Sequence, residues 1–326
     1  MQAGQNTVMV VTSLEDATAN LVIAALNERK ATVVRVDPAD IGPDLTFSAQ
    51  IGAGRPGWTG CIHTLSREFA LEEVRAVYYR RPSLWRFHEL DPQAREFAMD
   101  EARHGLKGLI ANLADCRYVN NPFHDDRSEY KPAQLQVAAQ VGLEVPATLI
   151  TNDLDAVIKF ARDHGPMIYK SFRGMPSAPG GEVAAIWTQE VDPAEVDESV
   201  AVTAHLFQAK VAKHSDARVT VVGSRVFASE ITAPDGALDW RRGDWAMLEH
   251  KPIRVPSSIE PALHAYLDHF GLAFGCFDFA LEKAKSGNGP YRWIFLECNP
   301  NGQWGWLPDA SAIADAFAET LLEGCT

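Results

Sequence analysis

The stretch Tyr291-Arg-Trp-Ile-Phe-Leu-Glu-Cys-Asn-Pro-Asn-Gly-Gln-Trp-Gly-Trp-Leu307 decides how the chain is read. Trp293, Ile294, Phe295 and Leu296 are strand-forming residues, and Glu297 and Asn299 follow two positions apart. In an extended strand, side chains at i and i+2 point to the same face. Two oxygen donors are therefore presented together at a strand end, where Pro300 and Gly302 stop the run. Asp278, inside the apolar run Phe274-Gly-Cys-Phe-Asp-Phe-Ala-Leu281, supplies a third. A hard cation such as Mg²⁺ takes oxygen ligands of this kind and keeps its other positions for water and phosphates. Taken alone, Glu-x-Asn reads equally well as the polar end of an ordinary strand, so its meaning depends on the rest of the chain.

With 326 residues, the chain is long enough for two or three domains with substantial cores. No apolar run reaches the length of a membrane span, and the first residues lack the basic region of a signal peptide. The five cysteines are scattered without a C-x-x-C pair, which fits reduced thiols and a cytoplasmic location. A net charge of −13 argues against a nucleic-acid partner, since phosphate binding needs concentrated Lys and Arg.

From the N-terminus, strand 7–12, a helix over 16–29 capped by Ser13 or Asp16, and strand 31–36 suggest a parallel βαβ unit. Gly52-Ala-Gly54-Arg-Pro-Gly57 matches G-x-G-x-x-G, but a strand-like run follows it where a phosphate loop needs a helix, so it reads as a hairpin. Strand 74–79 ends on Arg80-Arg81-Pro82, two guanidiniums that either clamp a carboxylate or phosphate or form a solvated edge. A long amphipathic helix is expected over 89–113, and another opening at Ser128 with Lys131 in its first turn. Strand 166–171 carries Lys170; it falls short of a Walker loop and leads into a small-residue loop, Ser171–Glu182, whose N–H groups could cover phosphates. A strand over 200–211 carries Gln208. A hairpin about Gly223-Ser224 then joins strands 216–223 and 225–231, with Arg218 near its start. A loop bearing Asp239-Trp-Arg241-Arg242, a helix over 258–270 and a C-terminal helix over 310–322 complete the chain.

Lysines in two regions, a loop, arginines at strand ends and Asp278, Glu297 and Asn299 together fit phosphoryl transfer from ATP. Their order resembles the ATP-grasp superfamily. Tyr79-Arg-Arg-Pro82, Asn121-Pro122, Lys131-Pro-Ala-Gln-Leu135, Gly142-Leu-Glu-Val-Pro146, Thr148–Asn152, Arg218–Gly223, Asp239-Trp-Arg241 and Leu296-Glu-Cys-Asn-Pro-Asn-Gly-Gln-Trp304 are similar to graspetide (microviridin-type) ribosomal peptide maturases. The resemblance implies an α/β ATP-grasp fold in three parts: an N-terminal pre-ATP-grasp domain, 1–124; a central domain, 125–206, with leader recognition around 183–200; and a C-terminal domain, 207–326. It implies Lys131 and Lys170 on ATP phosphates, Gln208 and Val211 at the adenine and Asp216 near the ribose. Arg218 and Arg241 would face the γ-phosphate or acyl phosphate, Asp278, Glu297 and Asn299 would hold Mg²⁺, and Arg80 and Arg81 would meet the substrate. The implied reaction phosphorylates Asp or Glu side chains of a precursor peptide, leader plus core, and closes ω-ester or ω-amide rings. A homodimer is also implied. A freestanding ATP-grasp ligase that joins amino acids or modifies a protein terminus shares every ATP residue, and an ATP-binding regulatory module is a third reading; Tyr79–Pro82 and the Gln303-Trp304 tail favour the maturase.

Overall fold

Strand β1 (Thr7–Val11) is buried along its whole length, as a parallel strand covered on both faces must be. The computed structural model describes residues 7–52, 54–173, 186–233, 238–242, 247–284 and 291–324. Helix α1 (Ala17–Glu28) is capped by Asp16, which accepts the Ala19 N–H, and leads to β2 (Thr32–Val36) parallel to β1. An antiparallel meander follows: β3 (Leu45–Gly52), β4 (Arg55–Thr64) and β5 (Glu68–Ala70). The Gly52–Gly57 segment is the β3–β4 hairpin connection, as the strand-like flank predicts. Strands β6 (Val74–Tyr79) and β7 (Arg117–Val119) complete a four-stranded parallel sheet ordered β2-β1-β6-β7.

The helix expected over 89–113 is broken. Helix α2 (Pro92–Ala102) passes through one π turn, Arg103–Lys107, into α3 (Gly108–Ile110). The wider turn re-phases the helix, so Leu106, Leu109 and Ile110 are buried while Phe97 stays 67% exposed. The helix expected to open at Ser128 begins at Lys131: Ser128 instead closes α4 (Pro122–Ser128), and α5 (Lys131–Gln140) follows. Pro132 fits a first turn and not a helix interior, so a new helix begins there.

A second sheet, β10-β9-β11-β8, is antiparallel and built from β8 (Thr148–Thr151), β9 (Met167–Lys170), β10 (Gln189–Val191) and β11 (His205–Ala209), with α6 (Leu154–His164) between β8 and β9. The strand expected over 200–211 is shorter, because Glu198–Val202 forms a 3₁₀ turn. The expected domain boundary between 206 and 207 falls inside β11. Of the phosphate loop 171–182, Ser171, Phe172 and Arg173 are described and line the cavity between the sheets, whereas the rest of it and the start of the leader segment 183–200 fall on residues 174–185, outside the described residues.

The third sheet, β14-β13-β12-β15-β16, comprises β12 (Ser215–Val222), β13 (Arg225–Thr232), β14 (Glu249–Pro252), β15 (Phe274–Lys283) and β16 (Tyr291–Asn299). One face carries Ala217, Val219, Phe277, Phe279, Trp293 and Phe295 against α5 and α7 (Glu260–Phe270). On the other face, Phe274 and Cys276 meet α8 (Ala310–Leu322), which also packs on α1 and the parallel sheet through Ile313 and Phe317. The last helix thus joins the first sheet and the third in one core.

Two local features set the site. In β16, Asp278 pairs with Glu297 but Phe279 pairs with Phe295, leaving Leu296 as a one-residue bulge. Trp293 and Phe295 face the core before it and Cys298 after it, so the bulge turns Glu297 and Asn299 out of the core. Beyond β16, Gly302 packs so closely on Cys276 that an added Cβ would lie 2.3 Å from the Cys276 Cβ. Gly302→Ala is expected to destabilise the fold by about 1–3 kcal/mol through overpacking. A urea-denaturation midpoint equal to that of the unsubstituted chain would contradict so close an approach.

Candidate active site

A cavity of about 560 Å³ opens between the second and third sheets. It is lined by Lys131 from the start of α5, Lys170 from the end of β9, Gln208 from β11, Val211, Asp216 from β12, Asp278 from β15, Glu297 and Asn299 from β16, and Arg241. Nine of the residues expected at the site thus share one space, although they span Lys131 to Asn299 in sequence.

The centre is electrostatic. Asp278 and Glu297 sit directly opposite one another on adjacent strands, an arrangement that repels unless cations intervene. Lys131 Nζ donates to Glu297 Oε2 at 2.6 Å, and an Arg241 terminal nitrogen lies 3.7 Å from Oε1. Burial alone would raise the Glu297 carboxyl, but Lys131, Arg241 and Lys170 outweigh it and hold the group well below the usual carboxylate range. Lys170 is pulled down to about 8 by burial, with Glu297 holding it up and Lys131 and Arg241 pushing it down. Burial lifts Asp216 to about 6 against the pull of Lys213, whose Nζ donates to Asp216 Oδ2 at 2.5 Å and to the Leu238 carbonyl at 2.8 Å.

Gln208 carries a second signal. Its Nε2 donates to Thr148 Oγ1 at 2.9 Å, while its buried Oε1 has no hydrogen-bond partner among the described residues. An acceptor left without a donor costs free energy, so the position favours a ligand that brings an N–H. An adenine amino group is such a donor, and Ile168, Ala280 and Leu296 supply apolar walls to the same cavity. Asp278, Glu297 and Asn299 offer carboxylate and amide oxygens, the donor set Mg²⁺ prefers, and each ionised carboxylate has lone pairs beyond those used by its cations. Among the described residues, no group of three His, Cys, Asp or Glu side chains is placed to hold a metal, so the amide of Asn299 is needed to complete the set.

Three expected site residues lie elsewhere. Arg218 does not line the cavity. Its Nε and one terminal nitrogen grip both oxygens of Asp278 at 2.9 Å, and the other donates to the Gln303 carbonyl at 2.9 Å. Its guanidinium carbon lies 5.6 Å from the Trp240 ring centre and 6.0 Å from that of Trp306. It holds a cavity carboxylate from behind. Arg80, expected at the substrate, is 0% exposed and serves Asp16, the Gly302 carbonyl and Gln303 Oε1. Arg81 lines a separate crevice with Ser13 and Asp37, and its Nε donates to the Asn301 carbonyl at 3.1 Å. Gln303 and Trp304 are likewise internal: Gln303 Oε1 also accepts the Thr18 hydroxyl at 2.9 Å, and Trp304 is fully buried, stacked 5.2 Å from Phe317.

The sequence reading missed Asp239, which takes Arg241 bidentately at 2.8 Å and orients it towards Glu297. Asp239-Trp-Arg241 carried the signal, since an Asp two residues before an Arg in a tight turn can reach its guanidinium. It also left Lys213 without a role.

Residues 7–126 match the family model described as the MvdD pre-ATP grasp domain. No curated protein matches the chain by sequence. Among solved structures, macrocyclase MdnC of Microcystis aeruginosa MRC, bound with precursor peptide MdnA, is similar at 27% identity with a TM-score of 0.83, covering 98% of this chain and 100% of that one. Macrocyclase MdnB of the same organism is similar at 27% identity with a TM-score of 0.77, again over 98% of this chain and 100% of that one. A Chryseobacterium gregarium RiPP-associated ATP-grasp ligase, in complex with ADP and a leader and core peptide, shares the fold at 24% identity, with a TM-score of 0.85, over 98% of this chain and 97% of that one.

The charge coupling in the cavity has a measurable sign. Glu297 raises Lys170, so Glu297→Gln is expected to move the lysine below its present value of about 8. Titration of a ¹³C-methylated Lys170 by NMR reads this directly, and an unchanged or raised value would refute the coupling.

Proposed function

We propose that the chain is an ATP-grasp ligase of the RiPP-macrocyclase kind, which phosphorylates Asp or Glu side chains of a ribosomal precursor peptide and closes ω-ester or ω-amide rings. The observation that carries this reading is the one cavity lined by Lys131 and Lys170, which act together on Glu297, by Asp278 and Asn299, and by Gln208, whose Oε1 has no partner among the described residues. The named substrates of the similar macrocyclase and ligase structures, precursor or leader and core peptides, support the choice of a peptide acceptor.

In this reading, Gln208 and the main chain at Val211 meet adenine, Asp216 the ribose, and Lys131 and Lys170 the phosphates. Asp278, Glu297 and Asn299 are the residues that would hold Mg²⁺, which neutralises phosphate charge. A carboxylate oxygen of the peptide attacks the γ-phosphorus and ADP leaves with the bonding pair, giving an acyl phosphate. A Thr or Ser hydroxyl, or a Lys amine, then attacks the acyl carbon; phosphate departs and the nucleophile's proton passes to solvent or phosphate. Arg241, fixed by Asp239, would stabilise the charge that develops on the transferring group. Lys170, titrating near 8, remains mostly cationic at neutral pH. A carboxylate-rich peptide meets a chain of net charge −13, so these cavity cations supply the local positive potential it needs.

Leader recognition by the central sheet, a homodimeric state and a cytoplasmic location belong to the same reading. Light scattering at twice the chain mass would support the dimer. Among the described residues, no helix is long and apolar enough to cross a membrane.

Incubation of a co-encoded peptide with the protein and Mg-ATP is expected to remove one water mass per ring, seen by mass spectrometry. Release of ADP with no loss of mass, or addition of an amino acid, would overturn the macrocyclase reading. Glu297→Gln and Asn299→Ala are each expected to abolish turnover while the far-ultraviolet circular dichroism of the fold persists. Arg241→Ala should lower kcat more than it weakens ATP binding, and equal losses would make it a simple nucleotide contact.

A further inference from the structure

The four residues Pro300–Gln303 join the end of β16 to the N-terminal domain. The Pro300 carbonyl accepts Asn120 Nδ2 at 3.1 Å, the Asn301 carbonyl accepts Arg81 at 3.1 Å, and the Gly302 carbonyl accepts Arg80 at 3.2 Å. Gln303 Oε1 accepts both Arg80 and Thr18, and Asn301 Nδ2 donates to Asp125 Oδ2 at 2.6 Å. Arg80 is itself fixed by Asp16 Oδ2 at 3.0 Å. The remaining main-chain carbonyl of the segment, that of Gln303, goes to Arg218.

The segment also touches both halves of the carboxylate edge. Through Arg218 it reaches Asp278, whose two oxygens that guanidinium holds in parallel. Through the Gly302 N–H, which donates to the Asn299 carbonyl at 3.2 Å, it fixes the backbone turn that presents Asn299. With Trp240 and Trp306 beside the Arg218 guanidinium, the Gln303 carbonyl sets how far that group reaches towards the cavity. Small displacements of a ligand oxygen change metal affinity steeply, and the partners that orient ligands typically carry 10–100-fold of it.

We infer that Arg80 and Gln303 are positioning residues for the metal: docking of the N-terminal domain, through Arg80, sets the geometry of Asp278 and Asn299. This rests on the assignment of Asp278, Glu297 and Asn299 as the Mg²⁺ edge. The pre-ATP-grasp domain is then part of the metal site at one remove, although none of its described residues lines the cavity.

The test uses the full chain with Mn²⁺ as the metal probe and ADP as the nucleotide. Free Mn²⁺ is followed by electron paramagnetic resonance, and ADP affinity in EDTA by calorimetry. Arg80→Met is expected to raise the Mn²⁺ concentration for half-saturation by about tenfold or more, with metal-free ADP affinity within about twofold. Arg80→Lys retains the charge opposite Asp16 but cannot reach two further acceptors, so it should fall between. Gln303→Met removes no charge and should shift Mn²⁺ binding in the same direction; it carries the test if Arg80→Met fails to fold. Folded variants that melt earlier yet bind Mn²⁺ as tightly as the unsubstituted chain would make Arg80 and Gln303 purely structural and overturn the inference. Failure of the unsubstituted chain to bind Mn²⁺ with ADP would instead remove the metal assignment itself, and this inference with it.

Discussion

Two carboxylates facing each other across adjacent strands make an arrangement that a folded protein can hold only with compensation. Asp278 and Glu297 are such a pair, and much of the surrounding architecture supplies their cations. Arg218 comes from the neighbouring strand β12, Lys131 from the first turn of α5, Lys170 from the second sheet and Arg241 from the turn after β13. Four separate elements must therefore close on one point before the pair is stable. A pocket so formed is nearly balanced in charge, and phosphate oxygens entering it compete for cations already in place. That is a preorganised site: the ordering of the lysines and arginines is done by the fold and not by the ligand.

The same constraint explains why an acidic protein can handle anions. The global charge of −13 acts through water and ions and is screened within about 8–10 Å. Inside the cavity, screening is weaker, and the nearby lysines and arginines dominate the local potential. The orphan oxygen of Gln208 complements this chemistry, since it distinguishes ligands by a hydrogen-bond donor where charge cannot.

The sequence made much of this readable because strand parity is a local rule. Glu297 and Asn299 two apart, and Asp278 alternating with Phe277 and Phe279, place three oxygen donors without any knowledge of tertiary contacts. The Asp16 cap and α8 were legible for the same reason, from short-range signals. What escaped depends on contacts distant in sequence. Arg80 and Arg81 look alike at a strand end, but one is enclosed by a loop more than 220 residues away and the other lies at the rim of a crevice. The Asn-Gly-Gln-Trp string reads as a substrate signature because it is distinctive, yet its side chains and carbonyls are spent on joining two domains. The π turn at Arg103–Lys107 was hidden because the apolar pattern continues through it, and α4 because its buried residues, Pro122, Asp125 and Ser128, form no apolar stripe.

The bulge at Leu296 carries a consequence for how this chain can change over evolutionary time. Parity in β16 is set by a single additional residue, with core-facing side chains at odd positions before it and at even positions after it. Deletion of Leu296 itself would keep every cross-strand pair, with Phe295 still inward and Glu297 still outward, whereas loss or gain of one residue between Trp293 and Phe295 would turn the Trp293 ring outward. Length can therefore drift at the bulge but not in the paired stretch before it. Among descendants that keep the cavity, the spacing from Trp293 to Phe295 should be more invariant than that from Phe295 to Glu297.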